Sequence, residues 1–190
     1  MTNRQWIVLA TFSLLPCLQS CVPAVVAGAG GAVMVAEDRR STGTMIDDQT
    51  IESKAKRRID EKYGEQVHVD VVSFNRFVLV AGQVPTQEIK DDIGAIALGV
   101  ETVRNVQNEL LIGPLTDKKT HANDAYITSK VKARLVSEQK FDAGHIKVTT
   151  ENGVVYLMGL VTKQEADVAA EVASTTGGVE KVVKVFEYIG

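Results

Sequence analysis

The stretch GVETVRNV, Gly99–Val106, has a near copy downstream, GVEKVVKV at Gly178–Val185, and the two agree at five of eight positions. A phrase repeated after 79 residues in a chain of 190 points to a duplicated unit of small-domain size, since a module copied whole carries its sequence signature with it. Further matches lie upstream. GQVPTQE from Gly82 faces GLVTKQE from Gly159 at a spacing of 77, and DQTIESKAKRRI from Asp48 faces DAYITSKVKARL from Asp124 at a spacing of 76. The order of blocks is constant while the spacing drifts by a few residues, as small loop insertions would cause. The modules therefore span about 48–112 and 124–190, joined by a linker over 113–123 with Gly113-Pro114 at its break.

Periodicity sets the elements of each module. Behind Asp124, a plausible N-cap, Ile127, Val131 and Leu135 recur every four residues, the mark of an amphipathic helix. Residues 146–150 and 154–161 alternate around Glu151-Asn152-Gly153, and Asn-Gly between alternating runs signals a hairpin. A second helix over about 163–175 and a last strand over 179–188 follow. The first module repeats the order, with Ile89, Ile93 and Ile96 marking its second helix and 100–111 its last strand. Helix, strand, strand, helix, strand with a right-handed crossover gives an α+β fold: two tandem domains, each a three-stranded mixed sheet covered by two helices. Modules of this size are marginal alone, so docking of one on the other is expected to help both. Gly99 and Gly178 sit where the second helix stops, a place that favours positive φ. Gly82 and Gly159 fall inside strands, where a missing side chain lets the helix layer approach closely.

The beginning of the chain reads as an export signal. Arg4 precedes an apolar run, Trp6 to Leu18, that is short and interrupted by Pro16, which suits a signal peptide over 1–20 better than a membrane span. The run ends in LQSC, Leu18–Cys21, which looks like a bacterial lipobox, cleaved before the Cys so that Cys21 becomes the acylated N-terminus. Cys17 is the poorer acceptor, because Pro16 would hold the cleavage position. The alternatives are a secretory signal with an incidental Cys, or a signal anchor. After cleavage one Cys remains and no intramolecular disulfide can form. Residues 21–47 are then a lipidated N-terminus and tether. Its run AVVAGAGGAVMVA from Ala24 is compatible with a short helix or a flexible chain, and a flexible tether of this length spans ~25–30 Å.

Catalytic chemistry finds little support. His68, His121 and His145 fall in a strand, the linker and a strand entry with no metal-ligand spacing in sequence. Cys21 would be acylated, leaving no thiol nucleophile. Glu88 and Glu165 repeat between modules, but at a helix start a Glu answers the helix dipole. No Gly-rich phosphate loop opens a helix in the required pattern. No enzymatic activity, cofactor, metal or nucleic-acid partner is expected.

The lipobox, the segment RSTGTMIDD from Arg40 and above all IKVTTENGVVYLMGLVTKQEA from Ile146 carry a resemblance over nearly the full length. Each module is similar to a BON domain, and the chain resembles the dual-BON-domain outer-membrane lipoproteins. The resemblance implies a periplasm-facing lipoprotein, anchored in the outer membrane, that supports outer-membrane integrity. It also implies that the second BON domain binds anionic phospholipid, either phosphatidylglycerol or cardiolipin. Val22 after the lipidated Cys resembles the pattern sent to the outer membrane. An adaptor role toward the outer-membrane assembly machinery is the alternative.

A local basic patch is needed for such binding, because loss of residues 1–20 removes only Arg4 and leaves 20 Lys and Arg against 24 Asp and Glu. The first helix of the second module supplies it with Lys130, Lys132 and Arg134, and no acid stands between Ala125 and Ser137. If Ile127, Val131 and Leu135 face the sheet, Tyr126, Lys130, Ala133 and Ser137 form an outer stripe with Val136 beside it. Cations between two apolar ends make an interfacial face. At the repeat spacing, Tyr126, Val136 and Ser137 become Thr50, Asp60 and Glu61, so the first module lacks the apolar ends.

Overall fold

The computed structural model describes residues 38–190; the expected signal peptide, Cys21 and the tether up to residue 37 lie outside the described residues. The described chain runs α1 (Thr42–Tyr63), β1 (His68–Phe74), β2 (Phe77–Val84), α2 (Gln87–Leu98) and β3 (Asn105–Ile112). It then repeats the order with α3 (Lys118–Glu138), β4 (Ile146–Glu151), β5 (Val154–Val161), α4 (Lys163–Ser174) and β6 (Lys181–Tyr188). Each sheet is three-stranded and mixed: β1 is antiparallel to β2 and β2 parallel to β3, and β4, β5 and β6 pair in the same way. The β4–β5 turn places Asn152 and Gly153 at φ 49° and 73°, as the Asn-Gly pair implied. Asn75 and Arg76 adopt the same left-handed pair, φ 53° and 63°, between β1 and β2 without any Gly.

Strand alternation decides how these pieces pack. In β2, Val78, Val80 and Val84 point at α1 and α2, where they meet Ile51, Ala55, Ile59, Ile93 and Ala97. In β5, Val155, Leu157 and Val161 meet Ile127, Val131, Leu135, Ala166 and Ala169. The opposite faces do not meet water. Leu79 and Ala81 of β2, with Val72 and Phe74 of β1, pack on Tyr156 and Met158 of β5. The two sheets thus stand back to back with their helices outside, and the central strands are buried on both faces. A fully buried Val, Leu or Phe contributes about 1.5–3 kcal/mol, so this shared third core is a large part of what two marginal modules gain by docking.

Three expectations are corrected. The helix expected to be capped by Asp124 begins six residues before it: Asp117 caps α3, and Ser41 caps α1 at the matching place, each accepting from the backbone N–H three residues on. Asp48 and Asp124 are instead buried within the helices and reach across to the hairpin turns. Asp124 accepts from the backbone N–H of Asn152 (2.8 Å) and Gly153 (2.9 Å). Asp48 accepts from the N–H of Asn75 and Arg76, from the Ser73 hydroxyl and from the Arg40 guanidinium, at 2.7–2.9 Å. The repeated Asp is therefore a turn clamp, tying the first helix to the hairpin.

Gly99 ends α2 at φ −77°, with no left-handed requirement. The paired strands show why. Phe77 faces Asn105 and Val154 faces Lys181, so the structural spacing at the last strand is 76. The phrase that reveals the repeat is three residues out of structural register: Gly99 corresponds to Thr175, and Gly178 (φ 99°) to Thr102 (φ 69°). Positive φ is needed there, just before the last strand, in both domains. At Gly82 and Gly159 the close neighbour is backbone of the adjacent strand entry, not the helix layer. A Cβ would stand 2.1 Å from the His68 carbonyl oxygen at Gly82 and 2.4 Å from that of His145 at Gly159.

Candidate functional site

The outer face of α3 has the arrangement its periodicity implied. Ile127, Val131 and Leu135 are buried against β5 and α4, while Ala133 and Ser137 are exposed and Tyr126 and Val136 are 63% and 67% exposed. Ten residue steps along the helix take Tyr126 to Val136, about 15 Å at 1.5 Å per residue. The cations between them behave unequally. Lys130 donates to the Gly177 carbonyl at 2.5 Å and lies 5.2 Å from the centre of the Tyr126 ring. Arg134 donates to the Val172 carbonyl and to the hydroxyls of Thr175 and Thr176. Both fasten α3 to the turn after α4. Lys132 is exposed.

The first domain uses the same fasteners with different electrostatics. Arg58 donates to the Gly99 carbonyl, and Lys54 pairs with Glu101 at 2.7 Å. Along α1, Lys56 pairs with Asp60, Arg57 with Glu61 and Lys62 with Asp92. The Glu101 carboxyl is held below its ordinary value by Lys54 and that of Asp92 by Lys62. Among the described residues, Lys130, Lys132 and Arg134 form no ion pair. The partners of Lys130 and Arg134 are neutral oxygens, so ion pairing does not cancel the positive charge of this stretch of α3.

Polar contacts cross the seam between the domains at several points. Lys147 pairs with Glu52 at 2.6 Å, Arg104 with Glu187 at 2.8 Å, and the buried Gln83 donates to the buried Glu151 at 2.6 Å. Arg39, ahead of α1, makes two 2.8 Å bonds to Glu165 and one of 2.7 Å to the Leu160 carbonyl. The Arg39 guanidinium draws the Glu165 carboxyl down to about 2. Burial pushes the Tyr156 hydroxyl up to about 12 and holds the Glu151 carboxyl above its ordinary value. Sequence reading found no grouping among the histidines, yet the fold brings His68 and His121 together beside Glu151. These residues come from three separate segments, so no spacing rule could have found them.

Among the described residues, no helix is long and apolar enough to cross a membrane. The BON domain profile matches residues 47–114 and 123–190. The chain is 42% identical over 174 residues, 90% of either chain, to outer membrane lipoprotein DolP of Haemophilus influenzae. It is 36% identical to the 21 kDa hemolysin of Actinobacillus pleuropneumoniae, covering 80% of this chain and 79% of that one. To osmotically-inducible protein Y of Escherichia coli it is 31% identical, covering 74% and 72%. Two matched domains and these near full-length likenesses agree with the duplicated fold: the chain belongs to the BON-domain family, as a two-domain outer-membrane lipoprotein of the DolP type.

Proposed function

We propose that the protein is a non-enzymatic lipoprotein, acylated at Cys21, that binds anionic phospholipid through the exposed face of α3 and so supports outer-membrane integrity. The observation that carries this reading is the contrast between the two first helices. Tyr126 and Val136 stand exposed at the ends of a basic stretch with no ion pair among the described residues, whereas the matching stretch of α1 is neutralised by acids. Each uncompensated cation near an anionic surface contributes ~1 kcal/mol, and partial insertion of Tyr126 and Val136 adds burial of apolar area. The acyl chains, at ~0.8 kcal/mol per buried methylene, hold the protein at the bilayer, so a modest affinity of α3 suffices.

The test is flotation of residues 38–190 with vesicles of phosphatidylglycerol or of phosphatidylcholine. Tyr126→Ala and Val136→Asp should each weaken binding to the anionic vesicles roughly tenfold, as expected for losing about 1–1.5 kcal/mol of burial. Lys132→Glu should weaken it more at low salt than at high salt, where screening is strong. Lys132 is the clean electrostatic probe, because Lys130 and Arg134 also fasten the fold. Equal binding of all variants would turn the reading toward a protein partner, such as the outer-membrane assembly machinery. For the anchor, Cys21→Ala should abolish acylation and release the full chain from membrane fractions. Unchanged mass and retention would exclude it.

A further inference from the structure

His68 begins β1, His121 lies in the first turns of α3 and Glu151 ends β4, so the three reach one point from three segments of two domains. A ligand atom of each lies within 4.8 Å of the other two. His68 Nε2 is 3.6 Å from Glu151 Oε2, and the two imidazole centres are 4.1 Å apart. They line an open cavity of ≈ 380 Å³ together with Asp70, Asp124 and Thr128. Among the described residues, no Lys or Arg lines it. A carboxylate buried to 4% exposure near two further acids, with no permanent cation beside it, is an arrangement that a bound cation relieves.

We propose that His68, His121 and Glu151 form a binding site for a divalent transition-metal cation, Zn²⁺ by its donor set, that ties the two domains together. Two imidazole nitrogens and one carboxylate oxygen make a three-ligand zinc site whose fourth position is left to water. For bonds of about 2.0–2.2 Å, tetrahedral ligands stand roughly 3.3–3.5 Å apart. The His68–Glu151 pair is already near that separation, and rotation of the half-buried His121 ring closes the rest. Two of the three ligands already have the outer partners that orient metal ligands. Gln83 Nε2 donates to Glu151 Oε1, which leaves Oε2 facing His68. The Thr116 hydroxyl donates to Gln83 Oε1 at 2.9 Å and lies 3.3 Å from His121 Nε2. Glu151 and His121 are therefore linked through one chain of hydrogen bonds before any metal arrives. The duplication did not supply this site: the counterpart of His68 is His145, which stands 3.9 Å from Glu165 instead, and Glu151 has Phe74 in its place in the first domain.

The full chain, stripped with a chelator in detergent, is titrated with Zn²⁺ alone and with Mg²⁺ alone, followed by calorimetry and thermal melting. One Zn²⁺ should bind per chain and raise the melting temperature, while Mg²⁺, which prefers an all-oxygen octahedron, should do neither. His121→Gln and Glu151→Gln should each weaken Zn²⁺ binding at least about 10–100-fold, the loss seen when even an outer partner is removed. His145→Gln should leave it unchanged. Melting without metal identifies any variant that fails to fold, and His121→Gln, at a half-buried surface position, decides the question if Glu151→Gln does. Absence of saturable Zn²⁺ binding, or affinity retained in a folded His121→Gln chain, overturns the proposal.

Discussion

The helices α1 and α3 descend from one repeated block and occupy the same place in their domains, yet they differ in what they offer to solvent. Both bury an every-fourth-residue stripe, Ile51, Ala55 and Ile59 in one and Ile127, Val131 and Leu135 in the other. Both use a Lys and an Arg to hold the turn before the last strand. In α1 the cations meet Glu101, Asp60 and Glu61, whereas in α3 they meet carbonyls and hydroxyls. Duplication kept the packing code and left the surface free to diverge. Folding constrains the buried stripe and the fasteners, but it is nearly indifferent to the charge of the outward positions, where exposed ion pairs contribute little.

The in-strand glycines give the largest expected separation between the domains. Gly82 has φ 131° and would place a Cβ 2.1 Å from a carbonyl oxygen, whereas Gly159 faces a similar contact at 2.4 Å without a left-handed φ. Gly82→Ala should therefore cost roughly 2–6 kcal/mol, overpacking plus backbone strain, and Gly159→Ala roughly 1–3 kcal/mol of overpacking alone. Gly159→Glu should prevent folding of the second domain. Denaturant melts check the order, and equal losses at the two Ala variants would show that φ is not the difference.

The clamps come next. Asp48→Ala should cost about 2–4 kcal/mol, because it strands two backbone N–H groups and the buried Ser73 hydroxyl and takes from Arg40 one of its two carboxylates, leaving it Asp38. Asp124→Ala strands two N–H groups without an Arg, and about 1–3 kcal/mol is expected. Reversed magnitudes would mean that the Ser73 hydroxyl and the Asp48–Arg40 pair add nothing to the clamp.

A smaller effect should convert one helix face toward the other. Replacing Asp60 by Val and Glu61 by Ser removes the partners of Lys56 and Arg57. The two charges gained, at ~1 kcal/mol each near an anionic surface, should strengthen binding to phosphatidylglycerol vesicles by roughly tenfold or more at low salt. No gain would show that released charge and one apolar end together do not make the α3 face.

The smallest expected effect concerns acid. The Glu165 carboxyl sits at about 2 beside Arg39, so this pair stabilises the fold fully above the ordinary carboxylate range and loses that contribution as pH falls toward 2. Glu165→Gln should lower the melting temperature by a few degrees at neutral pH, with the difference from wild type shrinking as the pH drops. A difference that persists at pH 2 would assign the effect to the capping box with Thr162 rather than to charge.

Local order was legible in the residues. Alternation around Asn152-Gly153, the four-residue stripe behind Asp124 and the recurrence of blocks determined two copies of one α+β module, because each is set by conformational preference over a few neighbouring residues. The exposed face of α3 was legible for the same reason. What the tertiary structure alone decided depends on residues far apart in the chain. The sheets dock back to back because β2 and β5 are apolar on both faces, a property that announces burial without naming the partner. Asp124 looked like a helix cap until the hairpin stood beside it. The phrase GVE matched by letters at 79 residues while the strands match at 76, since identity of text does not carry hydrogen-bond register. His68, His121 and Glu151 meet only across the docked domains, where a non-local contact forms and no local spacing records it.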